Sequence, residues 1–185
     1  MLYSLLKFKA IILLKTITKN LLLLLLCFAA NFCCGQSDTS NIRPKFNLKL
    51  FVNDSTFYQS PMNETSYVIK SEMVQIFPGE TLYIEADIAK DSLIDLHIVP
   101  AIIHKDKTIT ISFSQDHENN IHKQMILKIN NPFSESLTYH AHINLMKTKK
   151  WVGSSVLPVQ PTLESFETWP DIITSIVLSD FYLQK

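Results

Sequence analysis

The sequence predicts an all-β domain: an immunoglobulin-like antiparallel β-sandwich of about eight or nine strands behind an N-terminal signal helix. Three observations carry this. Beyond residue 44, apolar side chains alternate with a period of two rather than 3.6. Turn residues recur at intervals of ~8–12 positions. The one long uninterrupted apolar run lies ahead of all this, at residues 21–30, and holds six consecutive leucines. A β-barrel is the alternative, because alternation does not say whether a sheet closes on itself.

Residues 1–35 read as a signal peptide. Lys7, Lys9, Lys15 and Lys19 make the front basic, residues 21–30 form a short apolar middle, and small residues follow. Ten helical residues cover only about half of a ~30 Å hydrocarbon core. Extending the run backwards to span a membrane would bury Lys19 and Lys15. Cleavage after Gly35 places small side chains one and three positions before the cut and leaves Gln36 as the new terminus. A retained anchor is the competing reading. A third is lipoprotein processing, with acylation at Cys33 or Cys34; the bulky Phe32 beside them fits that route poorly.

Beyond Gly35, 13 basic residues face 17 acidic ones, a net of −4. That balance argues against nucleic acid as a partner. Only Gly79 and Gly153 remain there, too few for a phosphate-cradling loop or a Gly-x-Ser-x-Gly elbow, and no cysteine remains. The expected organisation is a flexible lead-in over residues 36–44 and one β-sandwich domain over residues 45–185.

The strand signals follow in order. Residues 45–52 alternate weakly through Phe46, Leu48 and Leu50, and residues 67–77 carry Val68, Met73, Val74, Ile76 and Phe77. Pro78-Gly79-Glu80 turns the chain into residues 81–88, where Leu82, Ile84, Ala86 and Ile88 are expected to face inward. Ile94, Leu96 and Ile98 form the next run, then Ile109, Ile111 and Phe113. The clearest stretch is residues 136–146, with Leu137, Tyr139, Ala141, Ile143 and Leu145 on one face and His140, His142 and Asn144 on the other. Met125, Leu127 and Ile129 lie just before it in phase, and Asn130-Asn131-Pro132 intervenes, so the two stretches are expected to form a hairpin. Residues 150–159 and 174–183 close the series, and residues 163–169 are expected to form one helical turn. Tyr139, Trp151 and Trp169 are the expected aromatic anchors of the core.

His140 and His142 are the candidate metal ligands, since residues i and i+2 of a strand project the same way. His122 or His97 would have to complete the shell. The bland reading is two solvated histidines. Acidic residues are spread evenly along the strands, with no converging pair for acid–base work. No catalytic residue and no cofactor is assigned, and the expectation is a non-enzymatic protein. Trp151, Phe166 and Trp169 interleave with acids in a broken segment, which marks a candidate binding edge; packing at one end of the sandwich is the structural reading.

Asn130-Asn131-Pro132-Phe133, Leu137-Thr138-Tyr139, Trp151, Ser155-Val156-Leu157-Pro158-Val159 and Glu167-Thr168-Trp169-Pro170 occur in that order before a final apolar strand. In this the chain resembles, over about residues 120–183, a group of uncharacterised exported bacterial proteins. The resemblance implies an exported β-sandwich and brings no activity with it. The expected role is therefore binding or structural support at the cell envelope, secreted or periplasmic, with an envelope or extracellular partner. Membrane attachment follows only if the chain is anchored or lipidated. Any protein partner is expected at an unpaired strand edge or at the Trp169 loop.

Overall fold

The computed structural model describes residues 41–70 and 72–185. The expected signal segment, Cys33, Cys34, Gln36 and most of the expected lead-in lie outside the described residues.

The described residues contain 14 strands and no α-helix. In chain order these begin with β1 (Ile42–Arg43), β2 (Phe46–Asn53), β3 (Thr56–Met62), β4 (Thr65–Ser66), β5 (Val68–Ile69), β6 (Met73–Ile76) and β7 (Glu80–Ala89). They continue with β8 (Ser92–Val99), β9 (Ile109–Glu118), β10 (Ile121–Asn130), β11 (Ser136–Leu145), β12 (Lys150–Ser154), β13 (Glu164–Trp169) and β14 (Ile173–Gln184). One antiparallel layer runs β12-β11-β14, with β6 and then β5 beyond β14. The other runs β8-β7-β9-β10-β13. A single residue pair, Tyr182 with Ser92, joins β14 to β8. The ladder ends at β12 and β13 without meeting itself, so the sheet is not a closed barrel.

Alternation explains how the layers stick. Val74, Ile76, Leu137, Tyr139, Ala141, Ile143, Ile176 and Leu178 project from one layer into the same buried cluster as Leu82, Ile84, Ile111, Phe113, Met125 and Leu127 from the other. Burying a Leu, Ile or Phe side chain is worth ~1.5–3 kcal/mol, so this shared core supplies most of the drive that holds the layers face to face.

The expected hairpin between β10 and β11 does not form. β10 pairs with β9 and β13, whereas β11 pairs with β12 and β14. The intervening segment is an arch between layers. Asn131 is buried and donates through its side-chain amide to the carbonyls of Glu135 (2.8 Å) and Val159 (3.0 Å). Its Oδ1 accepts the Phe133 amide at 2.9 Å. Inward-facing residues look the same in sequence whether their strand pairs with its neighbour or faces it across the core.

Other expectations also shift. The run over residues 67–77 breaks into β5 and β6. The expected helical turn at 163–169 is instead strand β13, paired with β10 along its length. Ile88 is 53% exposed, because β7 carries a register shift between Glu85 and Asp87 and runs beyond the start of β9. Trp151 is 47% exposed and anchors nothing. Ile42 and Arg43, inside the expected lead-in, pair with β4.

Arg43, the chain's one arginine, is among the most buried residues of the fold. Its Nε donates to Glu80 Oε1 (2.6 Å) and its Nη2 to Glu80 Oε2 (3.1 Å) and to the Gln75 carbonyl (2.6 Å). Nη1 reaches Thr65 Oγ1 at 3.0 Å and the Ser66 carbonyl at 3.4 Å. All five guanidinium hydrogens thus have an acceptor. The flat faces lie against Tyr67 and Phe77, 4.3 and 4.7 Å from the ring centroids.

β2 and β3 form a hairpin of their own. Leu48 and Leu50 on its inner face bury a second, smaller cluster with Phe77, and Phe46, Tyr58 and Ile172 pack around it. This hairpin builds one wall of the cleft described below.

Candidate functional site

The two candidate metal ligands share one face of β11, and among the described residues no third ligand joins them. His140 and His142 project from the outer face of β11, both exposed. His140 Nδ1 lies 3.0 Å from Asp180 Oδ2, and Ser179 Oγ donates to that oxygen at 2.8 Å. The Ser179 hydroxyl, followed by His140, holds the Asp180 carboxyl below its ordinary range. His122 stands on β10 and His97 on β8, both in the other layer, so neither supplies the expected third ligand. Among the described residues no three His, Cys, Asp or Glu side chains converge.

The three aromatics do not form one edge. Trp169 and Phe166 are three residues apart on β13 and fall on opposite faces. Trp169 is half-buried against the core, and its indole nitrogen donates to Ser154 Oγ at 2.8 Å, tying the β13 edge to the β12 edge. Phe166 points outward beneath Lys128, whose Nζ sits 5.7 Å from the ring centroid. Trp151 stands on the outer face of the other layer.

The acidic residues remain dispersed. Glu85 is the one with a distinctive setting. Burial pushes its carboxyl up, but hydrogen bonds from Thr108 Oγ1 (2.9 Å) and His104 Nδ1 (3.1 Å) outweigh this and leave it lowered. Both contacts fasten the β8–β9 loop to β7, which is a structural use.

A cleft of about 440 Å³ opens elsewhere, between the end of β2, the turn from β11 to β12 and the loop from β13 to β14. Val52, Leu145, Met146, Pro170 and Ile172 give it apolar walls, and His122, Lys147 and Asp171 supply polar groups. That volume falls within the span typical of small-molecule sites, as does the pairing of apolar walls with a few polar groups. Two backbone features hold the rim. The Met146 amide donates to the Ile172 carbonyl at 3.0 Å, and the Lys149 amide closes the turn on Leu145 at 2.8 Å. Lys149 takes a left-handed φ of 54°, as a tight reversal requires.

The hairpin wall is positioned by one side chain. Gln115 of β9 accepts the Phe51 amide at its Oε1 and donates from Nε2 to the Phe51 carbonyl, both at 2.8 Å. Nε2 also lies 2.9 Å from His122 Nδ1, and His122 Nε2 lies 3.0 Å from the Pro170 carbonyl. An amide nitrogen only donates and a carbonyl only accepts, so the two contacts match the tautomer with its hydrogen on Nε2. Hairpin, β9, β10 and the β13–β14 loop are thus linked in one chain of hydrogen bonds at the cleft.

Sequence reading missed this site. β3 is irregular and contains Pro61, so only β2 of the hairpin shows alternation, and in the sequence His122 stands out only as a possible third metal ligand. The visible signal was Met146-Lys147-Thr148-Lys149-Lys150, an abrupt basic break between two strands.

Fold and site together define an all-β protein with a mainly apolar cleft of small-molecule size. No family model, no curated protein and no solved structure matches the chain.

Proposed function

We propose that this is an exported, non-enzymatic protein of the bacterial cell envelope, periplasmic or secreted, that binds a small ligand with an apolar body in the cleft between Val52, Met146 and Ile172. The observation that carries the reading is the cleft itself: five apolar side chains surround about 440 Å³, and a hydrogen-bonded latch props the hairpin wall. Apolar surface of this kind contributes ~25 cal/mol per Å² when a ligand covers it and displaces water. Export is supported by the basic front and leucine run of residues 1–35.

The test is a fluorescence titration of the purified protein with the neutral apolar probe N-phenyl-1-naphthylamine. Saturable enhancement at one site, lost in a Met146→Trp variant that fills the cleft and keeps the wild-type circular dichroism, supports the reading. No saturable enhancement, or enhancement unchanged by Met146→Trp, overturns it.

A further inference from the structure

The cleft is apolar inside and basic on one rim. The turn that closes it carries Lys147, Lys149 and Lys150, all exposed. None of the three enters an ion pair among the described residues, as is true of most of the described lysines; what sets these apart is their crowding beside the cleft. Lys147 lines the cleft, and Lys149 lines an adjoining depression that shares Met146 as its divider. A single carboxylate, Asp171, stands among the lining residues on the other side. Three cations crowded into four residues repel one another, and a bound anion would relieve that repulsion.

Inside, the chemistry is different. Both ring nitrogens of His122 are already occupied by Gln115 and the Pro170 carbonyl. The one imidazole of the cleft therefore has no hydrogen-bonding atom left for a ligand. Val52, Leu145, Met146 and Ile172 offer only dispersion and hydrophobic contact, and the unbranched Met146 can reshape to follow a flexible guest. What such a site selects is a molecule with a featureless hydrocarbon body and a negative end.

We infer that the ligand is an anionic amphiphile, a single hydrocarbon chain carrying a carboxylate or phosphate headgroup, with its chain in the cleft and its head against Lys147 and Lys149. This inference rests on the ligand-binding reading above and adds the charge and shape of the guest. A free fatty acid and the hydrolysed headgroup end of a lipid share this chemistry.

The experiment is competition against bound N-phenyl-1-naphthylamine by decanoate, decyl phosphate and decanol, with the wild type and with Lys147→Glu/Lys149→Glu. The lysines are exposed, so the charge variant is expected to fold, which circular dichroism checks, and each competitor is read relative to the affinity of the neutral probe in the same variant. The expected result is that decanoate or decyl phosphate displaces the probe at lower concentration than decanol. The charge variant should lose about five- to tenfold in affinity for the anions relative to decanol, as for two exposed ion pairs. Preference for decanoate would mark the fatty-acid source, and preference for decyl phosphate the lipid-headgroup source. Equal displacement by decanol and the anions, or anion affinity unchanged by the lysine substitutions, overturns the anionic guest while leaving the cleft intact. Failure of the neutral probe itself to bind overturns the ligand-binding reading beneath it.

Discussion

Arg43 and Glu80 meet through two parallel hydrogen bonds of 2.6 and 3.1 Å, with the arginine side chain only 1% exposed. Glu80 also accepts the Phe77 amide at 2.8 Å, so one carboxylate fixes both the buried cation and the chain reversal into β7. Gly79, within that reversal, has a φ of +96°, which a side chain would strain. Arg43→Ala should cost ~3–5 kcal/mol, because it leaves Glu80 partly buried with no counter-charge. Arg43→Lys should recover little, since an ammonium cannot make the two-pronged contact. Urea denaturation of both variants and of Glu80→Gln checks this; a loss under ~1 kcal/mol in Arg43→Ala would show the pair to be incidental.

Gln115→Ala removes three hydrogen bonds at once. The expected cost is ~1–3 kcal/mol, with faster amide hydrogen exchange in the β2–β3 hairpin than in β11 or β14. Exchange that accelerates uniformly through the fold would mean that the hairpin is not held separately.

Tyr139 is buried, and neither its hydroxyl nor Thr138 Oγ1 has a hydrogen-bond partner among the described residues. Burial, with a smaller push from Glu167, raises the phenol well above its ordinary range. Tyr139→Phe keeps the ring stacked on Phe181, 6.1 Å away, and removes the unsatisfied group. It should be neutral or stabilising by up to ~1 kcal/mol. Thermal unfolding decides, and a drop of several degrees would reveal a partner for the hydroxyl.

Asp180 titrates below its unfolded value, held there by Ser179 and His140. A lowered carboxyl pKa stabilises the fold above the unfolded pKa of ~3.9, and that contribution disappears as the pH falls through the folded pKa. The effect is confined to the acid side and is small, because both Asp180 and His140 are largely exposed. Carboxyl carbon shifts followed by NMR should show the Asp180 midpoint rising in Ser179→Ala and, by less, in His140→Ala. An unchanged midpoint in both would remove those hydrogen bonds as its cause.

Residues 1–35 are expected to be absent from the mature chain. Mass spectrometry of protein recovered from the envelope fraction should give an N-terminus at Gln36. An intact Met1 would mark a retained anchor, and a mass increment on Cys33 or Cys34 would mark lipidation.

The layered β architecture was legible because burial imposes a period of two wherever one face is wet. β11 shows it cleanly, from Leu137 to Ile143. Pairing was not legible. β10 and β11 carry matching patterns because they face the same core from opposite layers, and only the buried amide of Asn131 distinguishes an arch from a turn. The His140–His142 face was visible from spacing alone, but spacing could not show that Asp180 is the neighbour of His140 or that His97 and His122 belong to the other layer. Arg43 looked like part of a polar lead-in. Its role depends on Glu80 and Gln75, more than thirty positions away, and no local pattern announces such a contact. The cleft was invisible for the same reason, since its walls come from β2, β10, β11 and the segment after β13.

The most direct measurement is a ¹H–¹⁵N shift map of the labelled protein titrated with decanoate. The expected result is saturable shifts concentrated at Val52, His122, Leu145 to Thr148 and Asp171 to Ile172, with Trp151, Phe166 and the His140–His142 face unmoved. Shifts centred on the β12 and β13 edges, or no saturable shifts at any concentration below micelle formation, would contradict the assignment of the cleft as the binding site.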